Sequence, residues 1–238
     1  MNLNNPILWG FALTCSVQAE LVDDFDTPGP LVTLTQRANP PGPVVTNSPP
    51  DTNNFLRLVN DLVNNNHNHY SYDLTDTGAY ETIEAWWDFR GTSLDPGADG
   101  YHFMLVPTAA YGTSGDGPAP TSEEPNVVNT FAVGVDFHPA GTVNDLSMHW
   151  NNVEHLNSRP PVGDLDIDNG AFHRAHLFID RMGNSSIARL ELSPNVLATN
   201  ASAPFVVWES IVPMMLPYEN RVQFGGRTGG LDMDIDLD

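Results

Sequence analysis

From about residue 82 onward, apolar and polar residues alternate one for one along much of the chain. That is the period of a strand with one face buried. The segment "TIEAWWDF" (82–89) sets Ile83, Ala85, Trp87 and Phe89 on one side. "TFAVGVDFH" (130–138) turns Phe131, Val133, Val135 and Phe137 inward, with Asp136 and His138 outward. "DLSMHWNN" (145–152) opposes Leu146, Met148 and Trp150 to Ser147, His149 and Asn151. Further strand-like runs are "YHFMLV" (101–106), "RAHLFID" (174–180), "IARLELS" (187–193), "FVVWESI" (205–211) and "RVQFGG" (221–226), with Gly, Pro and Asn turns between them. Such density predicts an all-β, antiparallel β-sandwich. "NNFLRLVNDLV" (53–63) carries a helix-like stripe of Phe55, Leu58, Val59 and Leu62, but its flanking Asn runs favour a strand-rich segment or one short helix. Between Thr27 and Thr52, Pro, Gly, Asn and Thr break regular structure.

The chain closes on "FGGRTGGLDMDIDLD". In an extended strand Leu231, Met233, Ile235 and Leu237 point one way. Asp232, Asp234, Asp236 and Asp238 point the other, spaced about 6.5–7 Å apart. A cation site, a solubility device and a last strand with one wet face all fit this pattern. The reading adopted is a strand that packs its apolar side and shows its aspartates to water, where charge also discourages edge pairing. The glycines of "GGRTGG" are expected to supply positive φ for the turn into it.

Charge narrows the partners. The chain has 238 residues, with 9 basic against 30 acidic and a net charge of −21. Every basic residue is Arg; Lys is absent. Such a surface repels nucleic-acid phosphates and anionic lipid headgroups. It suits a saline or extracellular setting that screens self-repulsion, and equally a simple solubility role. Residues 1–19, an apolar run ("PILWGFALTCSVQA") ending in small residues, read as a signal peptide, although no Lys or Arg precedes it. That leaves one domain over 20–238 on a secreted, extracellular or periplasmic protein. No stretch is long and apolar enough to span a bilayer. With Cys15 the only cysteine, no internal disulfide forms. Asn184 and Asn200 begin N-x-Ser sequons, relevant in a eukaryotic host.

Several segments, in order, resemble the L-type, legume-like lectins of the concanavalin A-like superfamily. These are "EAWWDFRGTSLDPGADGYHFMLVP" with its "ADG" turn, "NTFAVGVDFHP", "NDLSMHWNNV" and "RVQFGGRTGG" with the acidic strand behind it. The resemblance implies a jelly-roll of two antiparallel sheets. It also implies that Asp99 of the "ADG" turn accepts hydrogen bonds from sugar hydroxyls. A carboxylate at a loop end can take two neighbouring O–H groups, though Asp-Gly is equally a common turn. Gly100, Tyr101, Tyr111 and Arg227 are the further candidates for that site, Tyr101 or Tyr111 by stacking on a pyranose face.

At the family's metal loop the match departs. Gly134 stands at the Glu position and Asp145 at the His position, so the soft-ligand half of a transition-metal site is missing. A lone Ca²⁺ held by Asp136, Asn144, Asp145 and backbone oxygens is the cofactor left open. "GDLDIDNG" places Asp164, Asp166 and Asp168 at alternate positions like the start of an EF-hand loop, but the Gly comes one place late and Ala175 replaces the closing Glu. A half-buried strand or hairpin is the reading there. His67 and His69 of "NNNHNHYSY" read as exposed polar filler in an Asn-rich loop. Asp180 with Arg181, and Arg189 with Glu191, read as surface pairs.

No Glu-x-Asp-x-x-Glu run or G-x-S-x-G elbow is present; Glu81 and Glu84 are wrongly spaced to share one strand face, and Asp88 lies on the face of Glu84 without a clear acid partner. A lyase would need a basic groove. The expectation is therefore a non-catalytic module for neutral glycans on a cell surface or in a polysaccharide. The alternative is a structural or adhesive domain without a glycan site, ahead of a glycoside hydrolase on the same fold.

Overall fold

Alternation becomes layers in the computed structural model, which describes residues 20–27, 29–47, 53–92, 97–138, 144–158, 167–197 and 203–238. Among these residues fourteen strands, numbered in chain order, form two seven-stranded sheets whose pairings are all antiparallel. In spatial order the first holds β1 (Val32–Gln36), β4 (His67–Tyr72), β13 (Asn220–Arg227), β6 (Gly100–Pro107), β7 (Phe131–Asp136), β8 (Asp145–Trp150) and β9 (Val153–Ser158). The second runs β12 (Phe205–Val212), β11 (Ser185–Ser193), β10 (His173–Met182), β5 (Thr82–Thr92), β14 (Asp234–Leu237), β3 (Phe55–Val59) and β2 (Val44–Thr46). One short helix, α1 (Thr108–Tyr111), follows β6. The segment with the helix-like stripe is β3, with Phe55, Leu58 and Val59 buried and Leu62 exposed.

The core lies between the sheets. Tyr101, Phe103 and Leu105 of β6, Phe131, Val133 and Val135 of β7, and Leu146 and Met148 of β8 face Trp87 and Phe89 of β5, Leu177 of β10 and Leu190 of β11. Trp87 stacks on Phe103 with ring centroids 4.7 Å apart and 4° between planes. Its indole N–H donates to the Tyr101 hydroxyl at 2.9 Å, so the one polar atom this pair buries is satisfied.

The closing strand departs from expectation. β14 is an interior strand, between β5 and β3, so its aspartates guard no edge. Ile235 and Leu237 are buried as expected, but Leu231 is exposed and Asp236 has no solvent contact at all. Asp236 is flanked in register by Arg57 and Arg90. Arg57 Nε lies 2.8 Å from Oδ1 and Arg90 Nη2 lies 2.8 Å from Oδ2, while Arg57 Nη1 also reaches Asp234 at 2.7 Å. The guanidiniums cover the Phe55 ring at 5.6 and 4.9 Å, and Arg90 covers Phe172 at 4.4 Å. Arginine forks and aromatic faces therefore replace the water assigned to this carboxylate.

The glycines differ too. Gly225 and Gly226 lie inside β13 and, with Gly229 and Gly230, are not among the positive-φ positions. They give room instead. A Cβ on Gly225 would sit 2.2 Å from His102 Nε2 and 2.6 Å from His69 Cδ2, and one on Gly226 2.9 Å from Leu58.

Candidate functional site

Register gathers most of the candidates at one end of the first sheet. His67 pairs with Arg227, Arg227 with Gly100, Gly100 with Asp136, and Asp136 with Asp145. Asp99 immediately precedes this row and Asn144 adjoins it. The loop after β13 is fastened beside them: Asn65 N–H donates to Gly229 C=O at 3.0 Å and Asn64 Nδ2 to Gly230 C=O at 2.9 Å.

Asp99 follows a cis Ala98–Asp99 peptide. Its N–H donates to Arg227 C=O at 3.1 Å, and its own C=O accepts from Phe137 at 2.8 Å. Gly229 lies against its side chain, so close that a Cβ there would fall 2.6 Å from Oδ2. Arg227 Nη1 stands 3.1 Å from Asp99 Oδ2, but its aligned hydrogen bond goes to Glu123 Oε2 at 3.0 Å. Burial pushes the Asp99 carboxyl up, Arg227 pulls it down and Glu123 adds to the rise. The result is a half-buried acceptor at a loop end beside a cation.

The other sugar candidates fare differently. Gly100 is a packing position, since a Cβ would meet the Val135 carbonyl oxygen at 2.0 Å. Tyr101 is fully buried in the core, one residue along the strand and on its opposite face, so its ring is not offered to a ligand. Tyr111 lies beyond the far end of β6, about 26 Å along an eight-residue strand from Asp99, and packs against Met104, Val106, Val127 and Ala132. Neither ring is offered to a ligand beside Asp99.

Asp136 and Asp145 face one another across β7 and β8. Burial pushes the Asp136 carboxyl up to about 7, and Glu123, Asp145 and Glu124 add to the rise against a bond from His138 N–H at 2.7 Å. A Glu at position 134 has no room: a Cβ on Gly134 would lie 2.5 Å from Ser147 Oγ, 3.0 Å from Glu123 O and 3.2 Å from Glu124 Cα. Among the described residues no group of three or more His, Cys, Asp or Glu is disposed to hold a metal ion. Asp136, Asn144 and Asp145 thus offer hard oxygen donors but do not complete a calcium sphere, which takes six or more. Asp164 and Asp166 lie outside the described residues. Asp168 sits in the turn after the fully buried Ile167, where Gly170 N–H bonds Gly91 C=O at 3.0 Å.

Two structural features escaped the sequence. Residues 112–130 run as a strap over the outer face of the first sheet. Gln223 Nε2 donates to Pro118 C=O at 2.8 Å, Arg221 Nη2 to Asp116 C=O at 3.2 Å, and Asn157 Nδ2 to Glu124 Oε1 at 3.2 Å. Beneath it, "HNHYSY" is strand β4 and not a loop, with His67 and His69 buried together with His102 and His149. The only signal was the alternation of His67, His69 and Ser71 with Asn68, Tyr70 and Tyr72. On the second sheet Glu81 pairs with Arg181, Glu84 with His176, and Asp88 with Arg174. Arg189 meets Glu191 as expected. Asp180 does not pair with Arg181; it accepts from Thr82 Oγ1 at 3.0 Å.

No protein-family model matches the sequence, and no curated protein does. Solved structures do match. Lectin II from Ulex europaeus aligns with a TM-score of 0.56 at 14% identity, over 87% of this chain and 89% of that one. The VIP36 exoplasmic/lumenal domain, in a Ca²⁺/Man3GlcNAc-bound form, aligns at 0.56 and 12%, over 87% and 82%. A Bauhinia forficata lectin in complex with GalNAc aligns at 0.52 and 14%, over 87% and 89%. At such identities the likeness speaks for fold alone: the chain has the L-type lectin β-sandwich.

Proposed function

Starting from the L-type lectin fold, we propose that this chain is a non-catalytic glycan-binding module for neutral sugars, exported from the cell, with Asp99 as its central acceptor. The observation that carries the reading is where Asp99 sits. It is half-buried at a loop end, on the same sheet end as Arg227 and the Thr228–Gly230 loop. With Oδ2 buried beside Arg227, a sugar hydroxyl donates to Oδ1, and the neighbouring guanidinium offsets part of the burial that raises this carboxyl. The surplus of acid on the chain favours ligands without charge. Structural neighbours in Man3GlcNAc-bound and GalNAc-bound forms support the class of ligand.

Calcium is not a premise of this reading. Asp136, Asn144 and Asp145 would supply only part of its oxygen shell, at the sheet end shared with Asp99. The test is a neutral-glycan array probed with the parent protein and with Asp99→Ala, each with calcium and with EDTA. Binding by the parent that vanishes in the variant, at unchanged thermal midpoint, is the expected result. Equal signals from parent and variant would remove Asp99 from the site. The rival, an adhesive domain without a sugar site, draws on the fact that Arg227 already neighbours the Asp99 carboxylate; silence of the parent across the array would favour it.

A further inference from the structure

The histidines under the strap take no part in the site above. His69 of β4 and His102 of β6 both lie in register with Gly225 of β13, and their rings meet over that side-chain-free position, centroids 5.8 Å apart. His67 stands edge-on to His69 at 4.8 Å. His69 and His102 have essentially no solvent contact, and neither ring nitrogen of either has a hydrogen-bond partner, nor has His67 Nε2. The strap carbonyls of Pro120 and Ser122 face His67 and His102 outside bonding geometry. Further along, His149 of β8 bonds Asn126 of the strap at 3.0 Å and Ser147 at 2.7 Å. These donors do not converge on a metal ion, so the cluster needs another account.

We propose that residues 112–130 form an acid-released strap: closed over four neutral imidazoles at neutral pH, and lifted from the sheet when those rings take up protons in mild acid. This rests on the packing under the strap and not on the glycan reading. The strap is a suitable moving part, because polar contacts to Arg221, Gln223, Arg227, His149 and Asn157 hold it. Its buried apolar anchors are Pro118, Pro125 and Val127, the last packed on Met104, Val106 and Ala132.

The groups that face these rings set the sign. His67 is met by Arg227 from β13 and Arg37 beyond β1. His69 meets His67, Arg37 and the strap's Asp116, which is itself ion-paired with Arg37. His102 meets His69, His67 and His149, and His149 meets His155 of β9. Burial, then Arg227 and Arg37, lowers His67; burial, then neighbouring histidines, takes His69 to about 3 and His149 to about 4 and drops His102 well below its usual range. Closed, the rings stay neutral; released, they titrate near the ordinary value of about 6.5. Below that value the open form gains protons that the closed form refuses, which favours opening by about tenfold per pH unit per ring. Counting the two rings whose nitrogens have no hydrogen-bond partner, His69 and His102, opening takes up at least two protons, or roughly a hundredfold per pH unit.

Hydrogen exchange read by mass spectrometry on the parent protein tests this, with rates corrected for intrinsic pH dependence. Strap amides are expected to lose protection by about a hundredfold per unit below pH 6.5, while the β10–β11 hairpin keeps its own. The double variant His69→Gln, His102→Gln is expected to flatten that slope. Strap protection unchanged between pH 7 and 5 would overturn the proposal. So would strap and hairpin opening together, or a folded variant that follows the parent's profile. Should the double variant lose its β-type circular dichroism, His149→Gln replaces it, with the slope lowered by about one proton.

Discussion

Removing the Asp236 carboxylate is expected to weaken the fold more than any other change on the closing strand. Asp236 is wholly buried, with Arg57 and Arg90 opposite it in register at 2.8 Å each. In Asp236→Asn the shape survives, but two guanidiniums lose their shared counter-charge. Breaking a buried pair by deleting one partner costs about 3–5 kcal/mol. Here the arginines keep 24% and 13% exposure, and Arg57 retains Asp234 at 2.7 Å. The loss should therefore fall at about 2–4 kcal/mol. Urea unfolding at pH 7 reads it directly: with a slope of about 1–3 kcal/mol per molar, the midpoint drops by about 1 M or more. Asp232→Ala, two residues before the strand and without such a pair, serves as control and should move it by less than about 0.3 M. The triple change Arg57→Met, Asp236→Leu, Arg90→Met should recover most of the loss, since an apolar triad of similar volume replaces the charges. A midpoint for Asp236→Asn within about 0.3 M of the parent would show that the pairing does not hold the strand, and would refute the reasoning.

Asp136→Asn should act with opposite sign and depend on pH. The folded protein keeps the Asp136 proton to about 7, whereas an unfolded chain releases it near 3.9. The carboxyl's cost therefore appears as pH rises through that window. Urea midpoints should show the variant more stable than the parent by about 1–2 kcal/mol at pH 8, a figure discounted for partial exposure, and equal to it near pH 4; equality at pH 8 would contradict the assignment. Tyr101→Phe removes the acceptor of the buried Trp87 N–H and should cost about 1–3 kcal/mol in the same assay while leaving glycan-array signals unchanged. Loss of sugar signal in a stably folded Tyr101→Phe would return that ring to the binding site. Gly225→Ala pushes a methyl between His69 and His102 and should destabilise by about 1–3 kcal/mol; a neutral midpoint would mean the rings have slack.

The layered architecture was legible because alternation is local. Trp87 and Phe89, Val133 and Val135, or Leu146 and Met148 recur at a period of two, and every one of them is buried in the sandwich. The same alternation separated Asp236 from Ile235 and His69 from Tyr70, so it told which residues share a face. It could not tell whether the second face is wet. For β14 that depended on Arg57 and Arg90, 179 and 146 positions away, and for β4 on a strap that begins 40 residues downstream. Tyr101 was misplaced for a related reason. In sequence Tyr101 looks as available as the turn residue two before it, but it already lies within β6, on the face that packs against the second sheet. Gly225 and Gly226 looked like turn residues, and only the neighbouring strands show that they are spaces for His102 and Leu58. The sequence by itself determined the net charge, most strands after residue 82 and most of their inward residues, whereas β1, β2 and β4 fell in stretches that read as irregular or as loop. The tertiary structure decided which outward residues meet water, because that depends on what distant segments lay against them.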